Sequence, residues 1–202
     1  MIDNSNIKEI IGFVAGIISL VAYFPYIYSI LKHKTRPSRS SWWIWSFVGF
    51  LILLSYYNIG ARNTIWIPLV LFICPLIVAI LSLWFGEGQK LNTLDKICIL
   101  GAIISLIPWI FLKSVHIALF VNIFIDFLGF LSTFQKTYKY PQSENRFTWT
   151  LFFMGSILNV IALENYSFSI IFYPIYMFIM DIVMIYFLFI KPFNFSKNQY
   201  VR

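Results

Sequence analysis

KHKTRPSRSSWWIW, residues 32–45, and KTYKYPQSENRFTW, residues 136–149, carry one order of features 104 positions apart: a basic start, a proline, small polar residues and a tryptophan. Lys32 falls on Lys136, Pro37 on Pro141 and Trp45 on Trp149; further along, Leu54 falls on Leu158. A slip of two more positions lays Pro68 on Pro174. Few letters agree, but outward from each stretch the arrangement is the same. An apolar run precedes it, a short Trp-led apolar run follows, and a small connection leads to an apolar run containing proline.

Continuing outward gives seven apolar runs, at 7–31, 41–57, 65–85, 96–112, 116–135, 146–163 and 167–190. A helix needs ~20 apolar residues to cross a bilayer, and tryptophans at the ends can anchor the two short runs. The reading is an all-α integral membrane protein. Seven transmembrane helices form two parallel three-helix bundles, 7–85 and 116–190, joined by a linker helix at 96–112 and followed by a tail, 191–202. Triplets joined by one extra helix cross in the same direction, so the repeat axis lies along the membrane normal.

Composition agrees with that frame. Of 202 residues, 60% are apolar, 20% aromatic and only 11% charged, with a mean hydropathy of +0.80, whereas soluble domains carry about a quarter charged residues. The net charge of +7 reports orientation rather than nucleic acid. Twelve Lys and Arg fall in the loops 32–40, 86–95 and 136–146, at their edges and in the tail; Lys8, Arg62 and Lys113 are the three on the other side. The positive-inside rule then puts the C-terminus in the cytoplasm and the N-terminus outside. The first span has no basic leader and no small-x-small cleavage site, so it is expected to be kept. A compact chain without a targeting element fits a bacterial inner membrane.

Pro25 within Tyr23-Phe24-Pro25-Tyr26, the basic Lys32-His33-Lys34-Thr35-Arg36 and the Ser41-Trp42 that opens the next span resemble the PQ-loop, MtN3 and SWEET superfamily. The three-plus-one-plus-three layout with its N-terminus outside is similar as well, over 7–190. Where that family commonly has Pro-Gln, this chain has Pro25-Tyr26 and Gly129-Phe130; its literal Pro141-Gln142 lies in a loop aligned with Pro37-Ser38. The resemblance implies a carrier of a small polar solute, a sugar, an amino acid or a nucleoside or vitamin precursor, working by alternating access. One branch of the superfamily instead binds a peptide, which gives the alternative of a non-transporting receptor or scaffold.

Ionisable groups inside a membrane are costly and by default functional candidates. Asp126 and Asp181 are the two clear cases. Asn122, Asp126 and Gly129 share one helical face, as do Pro174, Met177, Asp181 and Met184, so both carboxyls are expected to look into one second-half cavity and to bind protons or cations during transport. The alternative is that each is held by Tyr or Asn as helix glue. Tyr23, Tyr26, Ser55, Asn122, Trp149 and Asn159 are the candidate solute contacts, since rings can stack on a solute while amides and hydroxyls fix its polar groups. Pro25, Pro68, Pro75 and Pro174 are candidate hinges by kinking or else static kinks, and Gly129 a hinge by flexibility. Trp42 and Trp43 read as interfacial belt, Glu164 as solvated, and the basic loop and tail as lying against anionic lipid heads. Gly12 and Gly16 form a GxxxG that suits packing within the triplet or a homodimer.

No HExxH, GxSxG or P-loop pattern occurs, and His33 and His116 lie at separate span ends. Cys74 and Cys98 stand alone in apolar runs and read as packing. The expectation is therefore no enzyme, no cofactor and no metal, with a solute and the lipid bilayer as partners.

Overall fold

The computed structural model describes residues 4–58, 66–86, 93–112, 115–163 and 168–190. Among them are seven α-helices, one on each apolar run, and no strand: α1 Asn4–Leu31, α2 Arg39–Asn58, α3 Trp66–Phe85, α4 Thr93–Leu112, α5 Val115–Lys139, α6 Arg146–Ile161 and α7 Phe168–Ile185. A 3₁₀ turn, Pro141–Ser143, precedes α6, and α7 runs on as a π-helix over Tyr186–Ile190. Helix α5 passes the expected end at 135, carrying Lys136 and Lys139 in its last turn, where cations suit the negative end of the helix dipole.

Local chemistry sets the ends. Helix α1 stops in a Schellman turn: Lys34 N–H reaches Ser29 O at 2.9 Å and His33 N–H reaches Ile30 O at 2.9 Å, with His33 at φ 57°. The side chain of Arg39, the first residue of α2, donates from Nε to Ser82 O at 2.9 Å, which also accepts from Gly86 N–H, and from Nη2 to Leu83 O at 3.0 Å, capping the last turn of α3. Asn145 caps α6, its Oδ1 accepting from Thr148 N–H at 3.0 Å. At the opposite end Lys8 Nζ donates to Leu163 O at 2.6 Å, which ties α1 to the end of α6.

Helix packing follows the 104-residue correspondence, under which α1, α2 and α3 match α5, α6 and α7. Helix α3 packs on α1 and α2, and α7 packs on α5 and α6. Between the halves α1 packs on α6 and α2 on α5, while α4 lies on α5 and touches α2. Exchanging the halves turns the first inter-half pair into the second. The clusters agree: Tyr26 and Val78 share one with Trp42, and their counterparts Phe130 and Met184 share another with Trp149.

The surface is apolar and much of the interior is polar. Ile97, Leu100, Ile103, Ile104, Ile107 and Phe111 form an exposed stripe on α4, and Phe13 and Phe24 stand out from α1. Ser29, Ser40, Ser41, Thr133, Thr137 and Thr148 are buried. Ile10–Leu31 and Ile171–Ile190 are long and apolar enough to cross a membrane, and only 17% of each apolar window is buried, unlike the core helix of a soluble protein.

Gly12 would place a Cβ 3.6 Å from Ala162 of α6, and Gly16 would meet nothing within 4 Å. The GxxxG therefore packs α1 against the opposite half through Gly12 alone, which corrects the expectation of packing within the triplet. Trp43 is exposed, as a belt residue should be, but Trp42 is buried, with Nε1 3.3 Å from the Tyr26 hydroxyl. Trp42 is a core residue because it is the residue of α2 that faces α1 and α3.

Candidate functional site

Two layers lie between the halves. The central one is aromatic and acidic. Trp45 of α2 and its counterpart Trp149 of α6 face each other with centroids 6.3 Å apart, and a residue can meet its own repeat mate only near the axis relating the halves. Phe130 lies 5.0 Å from Trp45, Phe152 5.6 Å from Trp149, and Tyr23 5.3 Å from Phe152. Tyr176 adds a further edge, 6.5 Å from Phe130. These are edge-to-face distances that stabilise aromatic pairs.

Asp126 and Asp181 adjoin this wall, and both are buried, at 6% and 3% exposure. Tyr176 donates its hydroxyl to Asp126 Oδ2 at 2.8 Å, and Ser156, whose hydroxyl donates to Phe153 O at 2.9 Å, adjoins Asp181. Tyr173 is near both and Tyr23 is near Asp126. Both carboxyls are buried near the tyrosines of α7, and the first half adds Tyr23 near Asp126. One turn before Asp126, Asn122 Oδ1 is buried with no hydrogen-bond partner.

The second layer closes the basic-loop end. Glu144 Oε2 accepts from the Tyr26 hydroxyl at 2.9 Å and from Trp149 Nε1 at 2.9 Å. Its Oε1 pairs with Lys136 Nζ, which also donates to Arg36 O, and both charged side chains are almost wholly buried. Arg36 N–H reaches Ser143 O at 2.8 Å, so the two proline loops hold each other directly. Beside them Ser40 donates to Asp95 Oδ1 at 2.6 Å, Ser132 donates to the same oxygen, and Ser38 lies 3.0 Å from Ser132.

Two bonds across the halves are exchanged by the repeat. Ser41 donates to Gly129 O at 2.6 Å, and Asn145 Nδ2 donates to Pro25 O at 3.5 Å. Residue 41 corresponds to 145, and 25 to 129. The opening residues of α2 and α6 therefore each grip the backbone of the opposite half at the position read as a hinge.

The remaining candidates divide. Tyr26 is fully buried and belongs to the closing layer with Glu144, as does the indole N–H of Trp149. Gly129 admits Trp45, since a Cβ there would lie 2.7 Å from its Nε1; close packing accounts for this glycine, in place of the flexibility expected. Pro25 and Pro174 are interior to α1 and α7. Pro68 lies in the first turn of α3, where its missing N–H would have no intrahelical acceptor, so the interior proline of that helix is Pro75, a correction to the kink expected at Pro68. Asn159 is exposed while Trp149 and Ser156 on the same helix are buried, which separates it from the central layer. The side chain of Ser55 and all of Glu164 lie outside the described residues.

Glu144, Lys136, Tyr173 and Tyr176 did not figure among the sequence candidates. Glu144 had a signal, being the sole acid between residues 127 and 163 and flanked by Lys136, Lys139 and Arg146. Among the described residues, no group of three or more His, Cys, Asp and Glu could hold a metal ion. Searches against family models, curated proteins and solved structures gave no match in any of the three.

Proposed function

We propose that the chain is a seven-span membrane carrier, built as two parallel triplets around α4, that moves a small polar solute by alternating access. The basic loops face the cytoplasm, and the site is the aromatic and acidic layer between the halves. The observation that carries this reading is the reciprocal pair Ser41 to Gly129 O and Asn145 to Pro25 O, which joins equivalent places in the two halves by single polar bonds. Rocking one half against the other breaks and remakes such bonds without unpacking either triplet, as in other repeat-built transporters.

The apolar exterior supports immersion in lipid, since soluble monomers rarely expose contiguous apolar surface of that extent. Helices of 20 residues, such as α2, α3 and α4, are each about 30 Å long, matching the hydrocarbon core. On this reading Glu144 and Lys136 form the closure on the cytoplasmic side.

A carrier exposes its central layer to both sides in turn, whereas a receptor needs one mouth. In a background with Cys74 and Cys98 replaced by alanine, Tyr23→Cys is expected to react with a membrane-impermeant maleimide in right-side-out and in inverted vesicles alike. Reaction from one side alone would remove alternating access and leave the receptor reading.

A further inference from the structure

The central layer holds two buried carboxyls, and among the described residues no ion pair joins either to a basic side chain. Asp126 and Asp181 supply four carboxyl oxygens, and Asn122 Oδ1 is buried without a donor. The Tyr176 hydroxyl serves Asp126 at 2.8 Å, and the Ser156 hydroxyl beside Asp181 donates to Phe153 O at 2.9 Å. The sequence has no Lys or Arg between residues 9 and 31, 40 and 61, 63 and 89, 97 and 112, 114 and 135, or 147 and 190, and the basic residues of the described helices lie toward the helix ends, with Lys136 on Glu144 and Lys8 on Leu163 O. Buried carboxylates unpaired with a cation are costly, so the layer calls for protons or for a positive ligand.

The rings choose between those two. Tyr23, Trp45, Phe130, Trp149, Phe152 and Tyr176 form a continuous edge-to-face wall beside the carboxyls. A bare proton makes no use of such a wall. An organic cation does, because ring faces attract positive charge and desolvation strengthens that attraction, while flat parts of the ligand gain stacking area.

Resting on the carrier reading above, we infer that the transported solute is an organic cation, an ammonium, amidinium or quaternary nitrogen joined to a flat ring. Its charge is held between Asp126 and Asp181 and its ring lies against Trp45 and Trp149. Cation and proton compete for the same two carboxyls, so entry of one positive charge displaces a proton. The titratable groups facing this pair are Tyr23 of α1, Cys74 of α3 through Tyr23, and Tyr173 and Tyr176 of α7. Helix α2 presents the neutral Trp45 to the backbone carbonyl of Asp126 at 3.4 Å, α6 presents Ser156 to Asp181, and α4 presents Cys98 to the other side of α5 at Ile125 and Leu128.

The test uses the full chain in nanodiscs, with quenching of tryptophan fluorescence as the readout. Benzyltrimethylammonium keeps its charge at every pH, so any pH dependence belongs to the protein; benzyl alcohol and benzenesulfonate are its neutral and anionic counterparts. Saturable quenching by the cation is expected, tightening as pH rises and weakening about tenfold or more, ~1.4 kcal/mol, in Asp126→Asn. Asp181→Asn provides the same readout should Asp126→Asn fail to fold. Equal affinity for the neutral or anionic probe, or no saturable binding of the cation, overturns the inference. Saturable cation binding without uptake into proteoliposomes would leave the cation site standing and remove the carrier reading. Uptake of neutral solutes alone would do the reverse.

Discussion

The two proline loops occupy equivalent places and are bonded by different chemistry. In the first half, Ser40 sits where the second half has Glu144, and Lys32 is exposed where Lys136 is buried. The Ser40 side joins a cluster of hydroxyls around Asp95 at the start of α4. The Glu144 side is a buried ion pair that also collects Tyr26 and Trp149. One backbone frame thus carries a hydroxyl latch on one side of the axis and an ionic latch on the other. A buried carboxylate keeps its full attraction only while Lys136, Tyr26 and Trp149 all stay in place, so the ionic latch should resist opening more and fail more completely once open.

The largest expected effect tests that inequality. Glu144→Ala leaves the Lys136 ammonium buried with a backbone carbonyl and strips the acceptor from Tyr26 and Trp149, a loss of about 3–5 kcal/mol. Ser40→Ala removes a hydrogen bond to a carboxylate and should lose about 1.5–3 kcal/mol. Replacing both Lys136 and Glu144 by apolar residues of similar size, Met and Leu, should recover the part of that loss due to the unpaired ammonium, while Tyr26 and Trp149 still lack their acceptor. Apparent melting temperatures in detergent decide it: equal losses at 40 and 144, or no recovery in the double variant, would break the comparison.

A smaller effect sharpens it at the exchanged bonds. Ser41 is buried, its bond to Gly129 O is 2.6 Å, and it accepts from Thr133 at 2.7 Å; Ser41→Ala should cost about 1–2 kcal/mol. Asn145 reaches Pro25 O only at 3.5 Å, near the limit of a hydrogen bond. Asn145→Asp keeps the cap on α6 and removes the Nδ2 donor, so a change within ~0.5 kcal/mol is expected in the same melting measurement. A loss in Asn145→Asp matching that in Ser41→Ala would mean that the longer bond is as strong as the shorter.

How far the sequence reaches is visible in these residues. The seven helices could be read because long apolar runs interrupted by Pro, Gly and charge leave few alternatives, and Asp126 and Asp181 because a carboxyl in an apolar run stands out. The hydroxyl and ionic latches could not be read in the same way. Lys136 and Glu144 lie in a polar loop where charge is ordinary, and their burial follows from contact with residues about a hundred positions earlier, Tyr26 and Arg36. Asn159 failed for the converse reason. Its angular distance from Trp149 allowed one broad face, but the bundle buries only the part of that face turned to α1 and α7. Gly129 was read for its backbone freedom, and its actual use is to admit the Trp45 ring, a partner about eighty positions away.

The smallest effect lies where the helices end. The first half turns back at His33, at φ 57°, while its counterpart Thr137 is still helical within α5 and fully buried. Glycine should therefore cost less at 33 than at 137. At 33 it relieves the left-handed conformation, about 1–2 kcal/mol. It also loosens the unfolded chain by about 0.4–1 kcal/mol and gives up the His33 ring contact with Phe85, centroids 5.0 Å apart, worth ~0.5 kcal/mol. The sum runs from about −0.5 to about +1.1 kcal/mol in favour of glycine. At 137 the methyl group leaves the core at a cost of ~0.8 kcal/mol, and glycine is also the poorer helix former by a few tenths. The hydroxyl that goes with it has no hydrogen-bond partner, so its removal returns part of the loss and leaves about 1 kcal/mol. Thr137→Gly should melt below His33→Gly. Equal losses would mean that α1 and α5 end under the same constraint, and that the extra turns of α5, which carry Lys136 toward Glu144, are not what sets the second half apart.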